Sequence, residues 1–205
     1  MRRRSARSSS LVASAKLLSA LPVVVASDVI VSALSNIDPA LLLFPAVPPA
    51  TGHDATDVVG VFVRSVTGKD FALFTSKEIL TEVELALESL GWSIQVRGQA
   101  LSVIAALAVQ SGGAVVGTTP RKIQIGKMPK AATSAVACAA SNSLGPLTKP
   151  RVAVVDNGTA KNFPAVTPRG IPWPPKSPIR VMNAAEFRSL AEQARLKFRA
   201  LPPKK

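Results

Sequence analysis

The sequence predicts an α/β fold, an α+β two-layer sandwich of a sheet and helices, in the middle of a chain with extended ends. Hydrophobic residues make up 47% of the 205 residues, which is enough to form a packed core. Between residues 58 and 155, predicted strands alternate with predicted helices, a pattern typical of βαβ units. The predicted order is β-α-β-α-β-β, with an extra strand before it and a helix after it.

The charge of the chain predicts an anionic partner. Lys and Arg number 25 against 12 Asp and Glu, which gives a net charge of +13. Residues 1–27 carry +5, residues 28–96 carry −6, residues 97–157 carry +6 and residues 158–205 carry +8. A surplus of bases of this size is typical of proteins that bind nucleic acid.

The scarcity of cysteine and histidine argues against an enzyme. Cys138 is the sole cysteine, which excludes an intramolecular disulfide framework and a cysteine-rich metal site. His53 is the sole histidine and lies in a stretch rich in Pro and Gly, without the partners that a catalytic triad or a zinc centre needs. The sequence therefore predicts a protein with no catalytic residues, no metal and no cofactor.

Residues 1–27 predict a mitochondrial transit peptide or basic leader. The segment is rich in Ser, Ala and Leu, lacks acids, and contains five bases, Arg2, Arg3, Arg4, Arg7 and Lys16. A secretory signal and a disordered basic arm are the alternatives, and without import the protein would be cytoplasmic or nuclear. Residues 28–57 follow as a Pro-rich linker. No segment reaches the roughly 20 uninterrupted apolar residues of a membrane-spanning helix.

The predicted domain spans residues 58–160 and begins with a hairpin. Val58–Val66 is rich in β-branched residues, and a short turn separates it from a second predicted strand, Phe71–Phe74. A helix follows, because Thr75 and Glu78 have the spacing of a capping box and apolar residues then recur at the helical period.

The next two predicted elements are a short strand and a second helix. The first helix ends at Gly91, and apolar residues alternate with polar ones in Trp92–Arg97, as they do in a strand. Gly98 ends that strand, and Gln99–Gln110 forms a helix that is apolar on almost every side. Such a helix is buried on more than one face, so one face is predicted to contact a partner subunit.

The second half of the domain predicts an edge strand, a long arm and a final strand. Ala114–Val116 and Lys122–Ile125 read as strand segments, and residues 126–150, small and polar with basic ends, as a flexible hairpin arm. Arg151–Val155 is the last predicted strand. Residues 161–182 are a Pro-rich linker, and residues 183–205 a basic amphipathic helix and tail.

Residues 70–157 resemble the Alba family of small nucleic-acid-binding proteins. The resemblance rests on FALFTSK, ILTEVELALESL, IQVRGQALSVIAALAV, KIQIG and PRVAVV, and most of all on the Gly-x-Ala-aliphatic-Ser turn that begins at Gly98. It implies an Alba-like fold that forms a homodimer, or a heterodimer with another Alba-like chain. Such a dimer would bind RNA, or DNA, mainly by contacts with the backbone of the nucleic acid. Val103 stands where the family often has a lysine that can be acetylated, so that switch is not expected here.

The predicted function is non-enzymatic RNA binding within a mitochondrial ribonucleoprotein assembly, whose other subunits are further partners. Bases of the arm and of helix starts would neutralise phosphates; the candidate residues are Lys77, Arg97, Gln99, Arg121, Lys122, Lys127, Lys130, Lys149 and Arg151. The acids of the first helix, Glu78, Glu82, Glu84 and Glu88, are interpreted as a solvated face. The alternative is a structural subunit that pairs with another Alba-like chain without binding nucleic acid. No stable membrane insertion is expected.

Overall fold

A computed structural model describes residues 20–36, 58–59, 70–117, 128–144, 151–162 and 179–199. In that part of the chain five strands and six α-helices are present, which confirms the α/β class. In chain order they are β1 (Leu21–Val25), α1 (Ser27–Ser35), β2 (Phe71–Ser76), α2 (Lys77–Ser89), α3 (Ile94–Gln110), β3 (Ala114–Val116), α4 (Lys130–Ala140), β4 (Arg151–Val154), α5 (Asn157–Asn162), β5 (Ile179–Met182) and α6 (Ala184–Arg199).

All five strands are parallel and lie in the order β3-β2-β1-β4-β5. The central strand β1 contains Val23, Val24 and Val25, and all three are buried. Successive residues of a strand point to opposite faces, so helices must cover the sheet on both sides. The architecture is therefore a doubly wound parallel sheet, and the predicted β-α-β-α-β-β order of a two-layer sandwich is not confirmed.

Two strands and one helix lie in segments that the sequence predicts to be leader or linker. Leu21–Val25, in the predicted leader, is the central strand, and Ser27–Ser35, mostly in the linker 28–57, is a helix. Ile179–Met182, in the linker 161–182, is the edge strand β5. For β1 the prediction failed because a strand buried on both faces has no polar alternation and reads as a plain apolar run. Strand β5, which exposes Arg180, was missed because it follows a run of prolines that is typical of a linker.

The predicted hairpin at the start of the domain is wrong in the part that the structure describes. Phe71–Ser76 is a strand, but its neighbours β1 and β3 both run parallel to it. Val58 and Val59 have helical conformation, and residues 60–66 lie outside the described residues. Two apolar runs separated by a Gly-containing turn resemble a hairpin locally, whereas the long-range pairing of β2 with β1 decides the topology.

Helix α2 confirms the strongest helix of the sequence with a shift at its start. Ser76, rather than Thr75, is the N-cap, because its Oγ accepts a hydrogen bond from the amide of Ile79 at 3.3 Å. Of the predicted apolar stripe, Ile79, Val83 and Leu87 are buried, whereas Leu90 is 56% exposed. The helix is followed by Gly91 at φ +80°, a conformation that glycine adopts without strain.

The predicted strand Trp92–Arg97 is wrong, since Ile94–Gln110 is one helix with Gly98 in its interior. Ser93 caps this helix by accepting a hydrogen bond from the amide of Val96 at 3.4 Å. The alternating apolar residues that suggested a strand are not all turned toward the core, because Ile94 is 78% exposed. Gly98 therefore does not lie at a strand-to-helix junction.

The predicted flexible arm of residues 126–150 contains a buried helix, α4. Ala132, Ala135, Val136 and Ala139 are fully buried against the rest of the core. Small side chains let a helix approach a sheet closely, whereas in the sequence they resemble a flexible stretch. Burial also raises the pKa of the Cys138 thiol to about 12, so this thiol stays protonated. The predicted strand Lys122–Ile125 lies outside the described residues.

Helix α6 lies within residues 183–205, where the sequence predicts a basic amphipathic helix and tail. The Asn183 side chain accepts from the amide of Glu186 at 2.8 Å, and the Glu186 carboxylate accepts from the amide of Asn183 at 3.0 Å. Phe187 is fully buried and meets Phe71 edge to face at 5.3 Å between ring centroids. Helix α6 thus packs on the core through an aromatic pair. Within the described ranges no helix is both long and apolar enough to cross a membrane.

Candidate functional site at the carboxyl edge of the sheet

The strand order creates a crevice between β1 and β4. From β1 the chain continues to β2 on one side, while β4 lies on the other side, so the winding direction reverses between β1 and β4. In open α/β sheets this reversal point, at the carboxyl ends of the strands, is where ligands bind. The amide of Ala26, just after β1, donates to the carbonyl of Val154, the last residue of β4, at 2.9 Å. The residues that follow these two strands are therefore neighbours.

A carboxylate follows each of these two strands. Asp28 lies in the first turn of α1, and its Oδ1 accepts a hydrogen bond from the amide of Val29 at 2.8 Å. Burial is the main cause that raises the pKa of Asp28, and the negative charges of Asp156 and Glu82 raise it further. The fold therefore holds these three carboxylates close enough for each charge to influence Asp28.

Asp156 titrates in the opposite direction. Its Oδ1 accepts from the amide of Thr159 at 3.0 Å, so it caps the short helix α5. Burial acts to raise the pKa of Asp156, but hydrogen bonds from the Thr159 side chain and from the amides of Thr159 and Gly158 outweigh it and lower the pKa. Two carboxylates whose environments move their pKa values apart are typical of functional sites.

Glu82 links three helices at this edge. Its Oε2 accepts from Ser27 of α1 at 2.8 Å and its Oε1 accepts from Ser134 of α4 at 2.7 Å. The ammonium of Lys130 lies 3.9 Å from the same Oε1, and only 11% of the Glu82 side chain is exposed. The interpretation of Glu82 as part of a solvated helix face is therefore wrong, because α1 and α4 cover this carboxylate.

The structure separates the predicted nucleic-acid-binding residues. Lys77 is exposed directly after β2, and Lys130 is 81% exposed, so both lie at the carboxyl edge. Gln99 is half-buried on α3. The other predicted residues, Arg121, Lys122, Lys127 and Lys149, lie outside the described residues.

Two of the predicted binding residues are engaged within the protein. Arg97 forms an ion pair with Glu88 at 3.0 Å, and only 11% of its side chain is exposed. Arg151 is 1% exposed, and its guanidinium donates to the carbonyls of Ala139 at 2.6 Å and Ser141 at 2.8 Å. A buried guanidinium cannot reach a phosphate, so the assignment of Arg151 to binding is wrong.

The three carboxylates do not form a preformed metal cluster. In the described segments, no group of three or more His, Cys, Asp or Glu side chains is arranged to hold a metal ion. Sequence reasoning missed Asp28 and Asp156. Each follows a buried apolar run, VVVAS or RVAVV, and a carboxylate after such a run is the one available signal.

No family model, curated protein or solved structure was found to match this chain.

Replacing Asp28 by asparagine is expected to stabilise the protein at neutral pH. The folded-state pKa of Asp28 lies above that of the unfolded chain, so the folded protein binds more protons between the two values and its stability falls as the pH rises through them. An asparagine there keeps an acceptor for the Val29 amide and cannot ionise. Thermal unfolding over a pH series should show the gain above that window and its loss as the pH falls toward 3.8, the ordinary value.

The control for this experiment is Glu84→Gln, since Glu84 is exposed on α2. It should leave the pH dependence of the melting temperature unchanged. A melting temperature of Asp28→Asn that is lower than that of the wild type at neutral pH would show that burial does not penalise the charge of Asp28.

Proposed function

We propose that this protein binds RNA through basic segments at the ends of the chain and between its helices and strands, whereas the described elements themselves are nearly neutral. The observation that carries the proposal is the separation of charge. The described residues contain ten of the 25 Lys and Arg and nine of the 12 Asp and Glu. The remaining residues contain 15 bases and three acids, so nearly all the surplus charge lies there. Such segments neutralise phosphates and release counterions without reading the sequence of the RNA.

The carboxyl edge is proposed as the place where the RNA crosses the fold. Helices α1 and α2 begin at this edge, and helix N-termini favour anions. Lys77 and Lys130 are exposed there. Asp28 and Asp156 repel a phosphate from the bottom of the crevice, so phosphates are expected at its rim. Binding to DNA is tested in the same experiment as binding to RNA.

The affinity for single-stranded RNA is expected to fall steeply with salt. Each neutralised phosphate of a single strand contributes about −0.7 to the slope of log K against log salt. The double variant Lys127→Ala with Lys130→Ala removes two cations and should reduce the magnitude of the slope by about 1.4. Fluorescence anisotropy with single-stranded RNA, duplex RNA and duplex DNA at several salt concentrations measures this slope.

The matched control is Arg180→Ala, which removes an exposed cation from the edge strand β5, away from the crevice. It should bind RNA with the wild-type slope. Binding that does not change with salt, or no binding to any of the three nucleic acids, would contradict the proposal and favour the structural subunit.

A second candidate function is Mg²⁺-dependent cleavage of the bound RNA, favoured by the positions of Asp28 and Asp156 just after two strands whose ends are joined by the hydrogen bond from Ala26 to Val154. Mg²⁺ is commonly held by one or two carboxylates together with substrate phosphates, so a preformed cluster of three ligands is not required. Cleavage of labelled RNA that needs Mg²⁺, stops with chelator and is lost in Asp156→Asn would establish this function. Intact RNA at full binding would exclude it.

The partner proposed for the fold is a second copy of the same chain, bound through the outer face of α3. This face carries no charged side chain, and it exposes Ile94 (78%) and Val109 (65%) near its two ends. Gly98 and Ala106 are small and exposed between them, on either side of Ser102 at the midpoint. An antiparallel pair of α3 helices about a two-fold axis near Ser102 places Ile94 of one copy against Val109 of the other.

Ser102→Arg is expected to convert such a dimer to monomers. The substitution places two guanidinium groups together at the two-fold axis in an apolar contact, where unpaired charges are unfavourable. Light scattering coupled to size-exclusion chromatography measures the mass. Ser89→Arg, exposed at the end of α2, is the control and should remain dimeric. A monomeric wild type at all concentrations would contradict the proposed partner.

We further propose that the protein is imported into mitochondria, and the fold limits how long the removable leader can be. Because β1 begins at Leu21 in the centre of the sheet, a removable leader must end before that residue.

A further inference from the structure

The pair Asn157-Gly158 lies at the carboxyl edge directly after Asp156. It is the one Asn-Gly dipeptide among the five asparagines of the chain. Both residues are exposed, and they begin α5, a helix of only six residues. A short helix of this kind opens at its end with little cost in free energy. The pair is therefore accessible to chemistry that needs a change of backbone conformation.

One contact engages the side-chain amide of Asn157, and a second engages the backbone amide of Gly158. The Asn183 Nδ2 donates a hydrogen bond to the Asn157 Oδ1 at 3.0 Å, which draws electrons away from the amide carbon. The amide of Gly158 donates to the carboxylate of Asp156. The Gly158 backbone is also close to this carboxylate, since a Cβ placed on Gly158 would lie 3.2 Å from the Asp156 Oδ1.

We propose that Asn157 is a deamidation site, promoted by Asp156 and Asn183. The backbone nitrogen of Gly158 attacks the Asn157 side-chain carbon, a bond forms between them, and the bond from that carbon to Nδ2 breaks. The proton of the Gly158 amide passes through the Asp156 carboxylate to the departing nitrogen, which leaves as ammonia. Water then opens the cyclic imide to aspartate or isoaspartate. Gly158 suits this step because it has no side chain to hinder the ring.

The product adds a carboxylate directly after Asp156 in the chain. The change is slow and one-way, and it makes the carboxyl edge more negative at the place where RNA is proposed to cross. This effect on RNA rests on the proposed function, whereas the deamidation itself does not. As deamidation accumulates with the age of the protein, RNA binding would gradually weaken.

The test is incubation of the full-length folded protein at neutral pH, followed by peptide mass spectrometry. Conversion is seen as a gain of one mass unit and as isoaspartate. Asn157 should convert before the other four asparagines. Asn183→Ala should slow conversion about fivefold, which corresponds to a barrier that is higher by about 1 kcal/mol. Gly158→Ala, which crowds the attacking nitrogen, should slow it more than Asn183→Ala does.

Two results would overturn the proposal. One is an unchanged Asn157 in the folded chain after a time in which it has converted in urea. The other is equal rates in the wild type and Asn183→Ala. The RNA arm compares wild type with Asn157→Asp, which should bind RNA more weakly. Mass spectrometry decides the modification, and RNA binding by the wild type decides the proposed function, so the two failures are distinguishable.

Discussion

Replacing Gly113 by alanine is expected to lower the free energy of unfolding by about 4 kcal/mol or more, an effect reserved for severe core disruption. A Cβ at this position would lie 1.7 Å from the carbonyl oxygen of Leu73 and 2.5 Å from its carbonyl carbon. Both atoms are backbone atoms of the interior strand β2, and they cannot move without disturbing the sheet. Overpacking in a core costs about 1–3 kcal/mol when side chains can yield, and here none can.

The turn around Gly113 explains why the approach is so close. The Gly113 amide donates to the carbonyl of Ala108 at 2.9 Å. The hydroxyl of Ser111 accepts from the amide of Leu73 at 3.0 Å and donates to the carbonyl of Ala108 at 3.1 Å. The end of α3 is thus fastened to β2 before β3 begins, which leaves no room for a side chain at Gly113.

Gly112→Ala is the matched control for the Gly113 substitution. Gly112 has φ +86° and no atom within 4 Å of a placed Cβ, so alanine there meets only the strain of a left-handed backbone, about 1–2 kcal/mol. Urea unfolding followed by circular dichroism measures both variants. Equal losses for the two substitutions would contradict the close contact between Gly113 and Leu73.

Replacing Arg151 by methionine is expected to lower the free energy of unfolding by about 2–6 kcal/mol, because a buried and a partly buried carbonyl lose their donor and each costs about 1–3 kcal/mol. These carbonyls belong to Ala139 and Ser141, at the end of α4, where backbone acceptors have no partner within the helix. Methionine keeps a long apolar stem and so separates lost hydrogen bonds from lost packing. Burial lowers the pKa of Arg151, yet a guanidinium remains charged at neutral pH.

Arg180→Met is the control for the Arg151 substitution. Arg180 is exposed on β5, the neighbour of β4, so its replacement should change stability by no more than about 0.5 kcal/mol. The same urea unfolding compares the two variants. If Arg151→Met were as stable as Arg180→Met, the guanidinium would not be what holds the end of α4.

Local signals predicted part of the fold. Helix α2 carries a cap, an apolar stripe and a terminal glycine, and helix α6 carries a reciprocal capping pair, so both elements follow from nearby residues. Strand β1 and helix α4 lack such signals. The valines of β1 are buried on both faces and show no alternation. The small residues of α4 allow close packing against the core, which cannot be read from the sequence alone.

The candidate site could not be predicted because topology assembles it. Asp28 and Asp156 follow two strands that are far apart in the sequence, and they become neighbours only because β4 pairs with β1. The same long-range pairing explains the error on Arg151. Its position at the start of a strand is visible in the sequence, but its burial against the end of α4 depends on how that helix packs.

The carboxylate of Glu82 couples ligand binding in the crevice to the packing of the helices around it. Hydroxyl groups from Ser27 and Ser134, far apart along the chain, satisfy its two oxygens. A cation or donor that displaces one of these hydroxyls removes an attachment of α2, either to α1 or to α4. Ligand binding at Glu82 and the attachment of α4 are therefore linked. A ligand that displaces the Ser134 hydroxyl weakens the attachment of α4, and whatever strengthens that attachment weakens binding of the ligand by the same free energy.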